Sequence, residues 1–252
     1  MAFSAGLTVS GQEPIPAGPD EVVEPFPGAV PDFAWRCEAG DTVLNFNAAV
    51  VLDSVHTLTF DSLRYARDYT LVAVYRPIDG GEVPLWRLDH GGGSRALTTL
   101  HVTVDSVSMT YRGRTDGGPA IGTVRQTAPD STEPCVRLTL GGGGRVAMAE
   151  VMYFGRRLDG SSLRRVQGSL AARYGVTLDP VDYVDGAGRR FWAHADSGTY
   201  RHRVTCVGRD TTYGLNQLQS RSEEEGAMLT LSVDSLSEGA FVACGDGPHR
   251  IL

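Results

Sequence analysis

From about residue 41 onward, apolar and polar residues alternate in short runs, the period of strands and not of helices. Residues 43–46 and 49–52 are brief apolar runs, and residues 57–60 alternate. Residues 69–76, rich in β-branched and aromatic side chains and ended by Pro77, form the clearest strand. Residues 85–88 predict another, followed by a loop at His90-Gly91-Gly92-Gly93. Residues 97–104 and 107–111 alternate around a turn at Asp105-Ser106, and a further strand is expected near residues 121–125. Residues 135–140 alternate, Gly141 to Gly144 make a turn, and residues 146–154 are almost continuously apolar, as in a strand covered on both faces.

One helix interrupts this pattern. Leu163, Val166, Leu170, Ala171 and Tyr174 recur at spacings of three and four, so they share one face. Asp159 or Ser161 caps its start and Gly175 its end, while Arg164, Arg165 and Arg173 lie off the stripe and are expected in solvent. Strand-like runs resume at 191–193, 203–207, 228–233 and 240–244. The expected organisation is a Pro-rich leader over residues 1–32, an antiparallel two-sheet sandwich over 33–158, a packed helix over 159–175 and a small appended β unit over 176–252.

Composition narrows the chemistry. Six prolines among the first 31 residues disfavour both helix and central strand. The net charge of −7 argues against a nucleic-acid partner, and no apolar run approaches the ~18 residues of a membrane span. All 23 basic residues are arginine, which excludes Schiff-base lysine chemistry and a Walker-type phosphate loop; a GC-rich coding sequence accounts for the bias. The start, Met1-Ala2-Phe3-Ser4, lacks a basic region followed by an apolar one, so a signal peptide is absent from this chain.

Two stretches resemble known families. The run Ala149-Glu150-Val151-Met152-Tyr153-Phe154-Gly155-Arg156-Arg157-Leu158 resembles the closing strand and following turn of laminin-G-like and concanavalin A-like domains. The run Gly208-Arg209-Asp210, then Gly214-Leu215-Asn216-Gln217-Leu218-Gln219-Ser220, is similar to an uncharacterised domain that follows such a sandwich in large Bacteroidetes-type surface proteins. The resemblance implies a jelly-roll (concanavalin A-like) sandwich, secretion or cell-surface display, and no established activity. Relatives continue beyond the strand matching residues 241–244, so a fragment or a shortened member is expected.

The candidate sites follow from this frame. A sugar-binding surface needs an aromatic face beside planar hydrogen-bonding groups. Trp86, near His90 and the glycine loop, is the first candidate, with core packing as the plain alternative; Tyr111, Trp192 and Tyr213 are further aromatics of this kind. Arg209, Asp210 and Asn216 either surround a ligand or satisfy a buried turn. Asp53, Asp89 and Asp116 are the candidates for a rim calcium site, or else cap turns; no other cofactor is implied. Glu150 is a lone acid on an apolar strand, and Glu223-Glu224-Glu225 reads as a solvated turn. Hydrolysis needs two carboxylates ~5.5 Å apart on one strand face or a nucleophile elbow, and neither pattern occurs. Cys206 and Cys244, both in apolar runs of the appended unit, are the candidate disulfide in an oxidising location. The expected function is a non-catalytic binding or adhesion module for a glycan or an extracellular protein; a structural spacer is the alternative, and a carbohydrate-active enzyme the third reading.

Overall fold

The structure, a computed structural model, describes residues 30–90, 93–104, 107–110, 118–127 and 135–247. Most of the leader, the turn expected at Asp105-Ser106, Tyr111 and Asp116 lie outside these residues.

The first half of the chain forms β1 (Phe33–Arg36), β2 (Thr42–Leu44), β3 (Asn47–Leu52), β4 (Leu58–Arg64), β5 (Asp68–Pro77) and β6 (Pro84–His90). It continues with β7 (Gly93–Thr98), β8 (His101–Val104), β9 (Val107–Thr110), β10 (Ala120–Thr127), β11 (Cys135–Leu140) and β12 (Val146–Phe154). Then come α1 (Gly160–Tyr174), β13 (Tyr183–Val184), β14 (Arg190–Trp192), β15 (His202–Asp210), β16 (Leu215–Gln217), β17 (Gln219–Arg221), β18 (Thr230–Ser232) and β19 (Phe241–Asp246).

The fold is all-β, with this single α-helix among the described residues. One sheet has the order β10-β5-β12-β3-β2, with β1 also paired to β12; the other has the order β4-β11-β6-β7-β8-β9. Their ladders are antiparallel. Between the sheets lies one apolar cluster, to which the first contributes Leu71, Ala73, Tyr75, Met148, Val151 and Tyr153, and the second Trp86, Leu88, Leu97, Leu138 and Leu140.

The alternate residues of β5 and β12 point the other way. Val72, Val74, Ala147, Ala149, Met152 and Phe154 join Val166, Leu170 and Tyr174 of α1 in a second cluster. Helix and appended unit therefore cover the outer face of the first sheet, which is why all nine residues of β12 are buried and its sequence is nearly unbroken in apolarity. The helix is capped as the sequence suggests: Asp159 accepts from the N–H groups of Ser161 and Ser162, and Gly175 closes the C-terminus at φ 62°. Its far side also packs, through Ala171 and Ala172, against residues of the appended unit such as Tyr183, Val204, Cys206 and Leu215.

Burial on both sides corrects two expectations. Arg165 and Arg173 are buried, because a helix held between two layers has no wide solvent face. Arg173 extends to Glu150, itself 1% exposed. The register of β12 against β5 shifts between Met148 and Glu150, a bulge that turns Glu150 to the helix side of the sheet. There its carboxylate accepts from Arg173 Nη1 at 2.8 Å, Tyr174 Oη at 2.8 Å and Arg36 Nη2 at 3.1 Å. Arg173 Nη2 donates onward to the Tyr213 carbonyl at 2.7 Å, so one network joins sandwich, helix and appended unit.

A second polar joint forms at the β2–β3 turn. Asn45 and Phe46, expected within a strand, instead take left-handed conformations at φ 48° and 65°. Asn tolerates this region better than most residues. The Asn45 side chain is fully used: Nδ2 donates to the Arg173 carbonyl at 2.9 Å and to Ser220 Oγ at 3.0 Å, and Oδ1 accepts from Arg221 N at 2.6 Å. It thereby satisfies the end of α1 and the end of β17 together. Gln217 Nε2 donates to the Asn45 carbonyl at 3.0 Å. Glu223, expected in a solvated turn, is buried at this joint, accepting from Asn45 N at 2.9 Å and Arg76 Nη1 at 3.1 Å, because it neutralises Arg76 and caps the turn.

Two substitutions test these joints by urea unfolding. Asn45→Ala should cost about 3 kcal/mol, since it strands buried donors and acceptors on three elements. Glu150→Gln should cost about 4 kcal/mol by leaving Arg173 buried without its counter-charge, and adding Arg173→Met should recover part of that loss. Additive losses in the double variant would show that the two groups do not act as a pair.

Candidate functional site

The sandwich opens where β1 and β4 lie at the margins of their sheets. β1 forms because Pro31 ends the leader and Phe33-Ala34-Trp35-Arg36 alternates: Phe33 and Trp35 pack on the inter-sheet core, and Arg36 reaches Glu150 on the other side. Phe60 of β4 meets both aromatics, with ring centroids 4.9 Å from Phe33 and 6.2 Å from Trp35. Beside this seam lies a cleft of about 560 Å³, floored by Phe33, Phe60, Leu63 and Tyr153. A second hollow of about 330 Å³, lined by Tyr65, Arg67 and Gly155, adjoins it and shares Asp32 and Arg64.

The polar groups of the cleft are unequal. Asp32 Oδ2 accepts from Gly155 N at 2.6 Å and stands 3.6 Å from Arg156 Nη1. Asp61 pairs with Arg137 at 2.5 Å. Tyr153 Oη donates to the Arg64 carbonyl at 3.2 Å, and burial pushes its phenol up to about 12, so it remains a neutral donor at physiological pH. The exposed Arg64 guanidinium has no side-chain partner among the described residues. Sequence reasoning missed this site, although the alternation of Phe33 and Trp35 directly after Pro31 was the signal for it.

The residues singled out from the sequence do not converge. Trp86, 1% exposed, sits in the inter-sheet core opposite Leu97 and Leu140, because its strand position faces inward; it cannot stack on a ligand. His90 is also buried, at the end of the same strand near Tyr65. Tyr213 is buried against the first sheet, while Trp192 is half-buried beside the appended core. The Arg209-Asp210-Asn216 set divides by strand alternation. Asp210 points inward and accepts from Gly186 N at 2.5 Å and Thr212 N at 2.9 Å. Arg209 and Asn216, cross-strand partners, are exposed on the opposite face. Arg209 leans toward Glu238 at 3.8 Å.

The acids considered for calcium are likewise dispersed. Asp53 caps its own turn, accepting from His56 N at 2.7 Å and Val55 N at 2.8 Å. Asp89 pairs with Arg87 at 3.0 Å, toward the far end of β6 from the Leu85 carbonyl that meets Gly141. Among the described residues no group of three or more His, Cys, Asp or Glu side chains is arranged to hold a metal.

The disulfide expectation is overturned. All four cysteines are free thiols. β15 pairs with β19 so that Cys206 faces Ala243 and Cys244 faces Thr205. This one-residue offset sends the two sulfurs to opposite faces of the sheet, out of bonding reach.

The comparisons bear on the second half of the chain. The family described as Domain of unknown function (DUF8202) matches residues 162–240, that is, nearly all of α1 and the appended unit up to the residue before β19. No curated protein matches the chain. The sandwich carrying the cleft thus lies outside the matched segment, whereas Arg173, Gln217, Ser220 and Glu223, which hold the two together, lie within it.

Two solution measurements check these placements. A thiol reagent should label Cys135 first in the native protein and leave Cys206 unlabelled until unfolding, since burial also pushes the Cys206 thiol up; the intact mass should not change on reduction. For Asp53, the turn N–H groups of His56 and Val55 lower the carboxyl from 3.8 to about 2. Its stabilising effect is then complete above the unfolded value and lost as pH falls through the folded one. The stability gap between the parent and Asp53→Asn should accordingly be constant near neutrality and close between 3.8 and about 2.

Proposed function

We propose that the chain is a non-catalytic binding or adhesion module, built on a laminin-G-like sandwich and displayed as part of a secreted or cell-surface protein. The observation that carries this reading is the cleft between β1 and β4, where half-buried aromatic side chains and an unmatched arginine open together at the sandwich margin. The sheets' shared core and the outer face of the first sheet are occupied by packing, and this margin combines concavity, an apolar floor and charge. The resemblance to surface-protein modules supports display, and the network through Glu150 and Asn45 supplies the rigid support a binding margin needs.

Two carboxylates, Asp32 and Asp61, line the same cleft. They speak for recognition and against hydrolysis, because each is exposed and already bonded to its own arginine or N–H partner. A glycoside hydrolase instead keeps one carboxyl as an acid by burying it. A structural spacer is the second reading, favoured by the burial of Trp86 and Tyr213 and by the locking of helix and appended unit onto the sandwich. An array of glycans and extracellular matrix proteins, probed with the parent and with Thr59→Arg at the exposed cleft mouth, separates them. Binding that Thr59→Arg abolishes supports the module. Binding that ignores it, or none at all, favours the spacer. Turnover of any glycan that disappears with Asp32→Asn or Asp61→Asn would make the protein an enzyme.

A further inference from the structure

Deepening the binding reading, on which it rests, we infer that the cleft between β1 and β4 receives an extended acidic segment of a partner polypeptide, with its carboxylate on Arg64 and its apolar side chains over Phe33 and Phe60. Three observations favour a polypeptide over a sugar. First, the cleft runs beside strands at sheet margins: β4 ends its sheet and pairs with β11, and β1 pairs with β12. The outward N–H and C=O groups of such strands match another main chain. Second, the aromatic floor offers edges in place of a flat face, since the Phe33 and Phe60 rings meet at 55° and cover one another. That shape suits an inserted aliphatic or aromatic side chain, whereas a sugar stacks on an open ring face. Third, the carboxylates that would fix sugar hydroxyls are engaged with Arg156, Gly155 and Arg137.

Charge selects the kind of peptide. Asp32 and Asp61 are matched by their own partners, which leaves Arg64, at the junction of the two hollows, as the unbalanced charge of the cleft. In a chain of net charge −7 this is a local positive spot, and it selects an acidic ligand. The register of β4 shifts between Phe60 and Leu63, so its margin is not a regular template. The irregularity blunts pairing with further copies of the same strand, while a segment anchored by side chains is still accepted. From Thr59 to Arg64 the strand covers about 17 Å, so a segment of about six extended residues fills it.

The test uses the full chain and arrays of synthetic seven-residue peptides in which apolar residues alternate with Glu, with Ser or with Lys. The parent should prefer the Glu set over the Lys set by on the order of tenfold or more. Arg64→Glu should invert that preference, a result that simple loss of folding cannot produce. Thr59→Trp, a bulky uncharged block at the exposed mouth, should abolish binding with an unchanged melting temperature. A Glu preference that persists in Arg64→Glu, or no peptide binding at all, would overturn the inference. Uronate oligosaccharides bound through Arg64 and blocked by Thr59→Trp would also overturn it, while leaving the binding-module reading in place.

Discussion

A carboxylate buried among apolar strands must be neutralised where it stands, and much of this fold is arranged around that requirement for Glu150. A lone charge at 1% exposure would be far more costly than the sheet around it could offset. The bulge in β12 aims the group at the helix side; β1 brings Arg36, and the last turn of α1 brings Arg173 and Tyr174. Burial and the neighbouring Glu150 charge push the Tyr174 phenol up, so it stays a donor to the carboxylate. Once Arg173 is fixed, its second nitrogen holds the Tyr213 carbonyl, and the appended unit is placed by the same charge.

This arrangement decides which surfaces remain for a partner. The first sheet has no free face, because the inter-sheet core takes one side and α1 with its neighbours takes the other. The second sheet gives its inward residues, Trp86 among them, to that core. Among the described residues one concave region is the margin between the sheets, where Phe33, Trp35 and Phe60 close the core only partly.

Much of the fold was legible from side-chain order alone. The unbroken apolar run of β12 correctly announced a strand covered on both sides, and Asp159 and Gly175 bracket α1 where capping chemistry puts them. The failures have a common origin: a pattern shows which residues avoid water, without showing what covers them. Arg165 and Arg173 look like a solvent face until a second layer arrives on that side. Glu223 looks like part of a charged turn until Arg76 and Asn45 meet it from 147 and 178 residues away. Trp86 resembled a ligand platform because it precedes a glycine loop, yet β-strand alternation gives no sign of which face is the inside. The cleft was hidden for the opposite reason, since it joins Phe33 and Phe60 from different sheets. The offset of Cys206 and Cys244 likewise depends on one residue of register, which no spacing encodes.

The joint at Asn45 also sets the order of events during synthesis. Its hydrogen-bond partners Ser220 and Arg221 lie 175 and 176 residues downstream. At ribosomal speed they emerge roughly 10 to 35 s after it. Through that interval the left-handed turn at Asn45 lacks these partners, although α1, made earlier, can already cover the helix-facing side of β5 and β12. Strand pairing within the sandwich can begin early, but the closing step waits for residues 220 and 221. Until residue 221 has left the ribosome, the end of α1 is not yet tied through Asn45 to the appended unit.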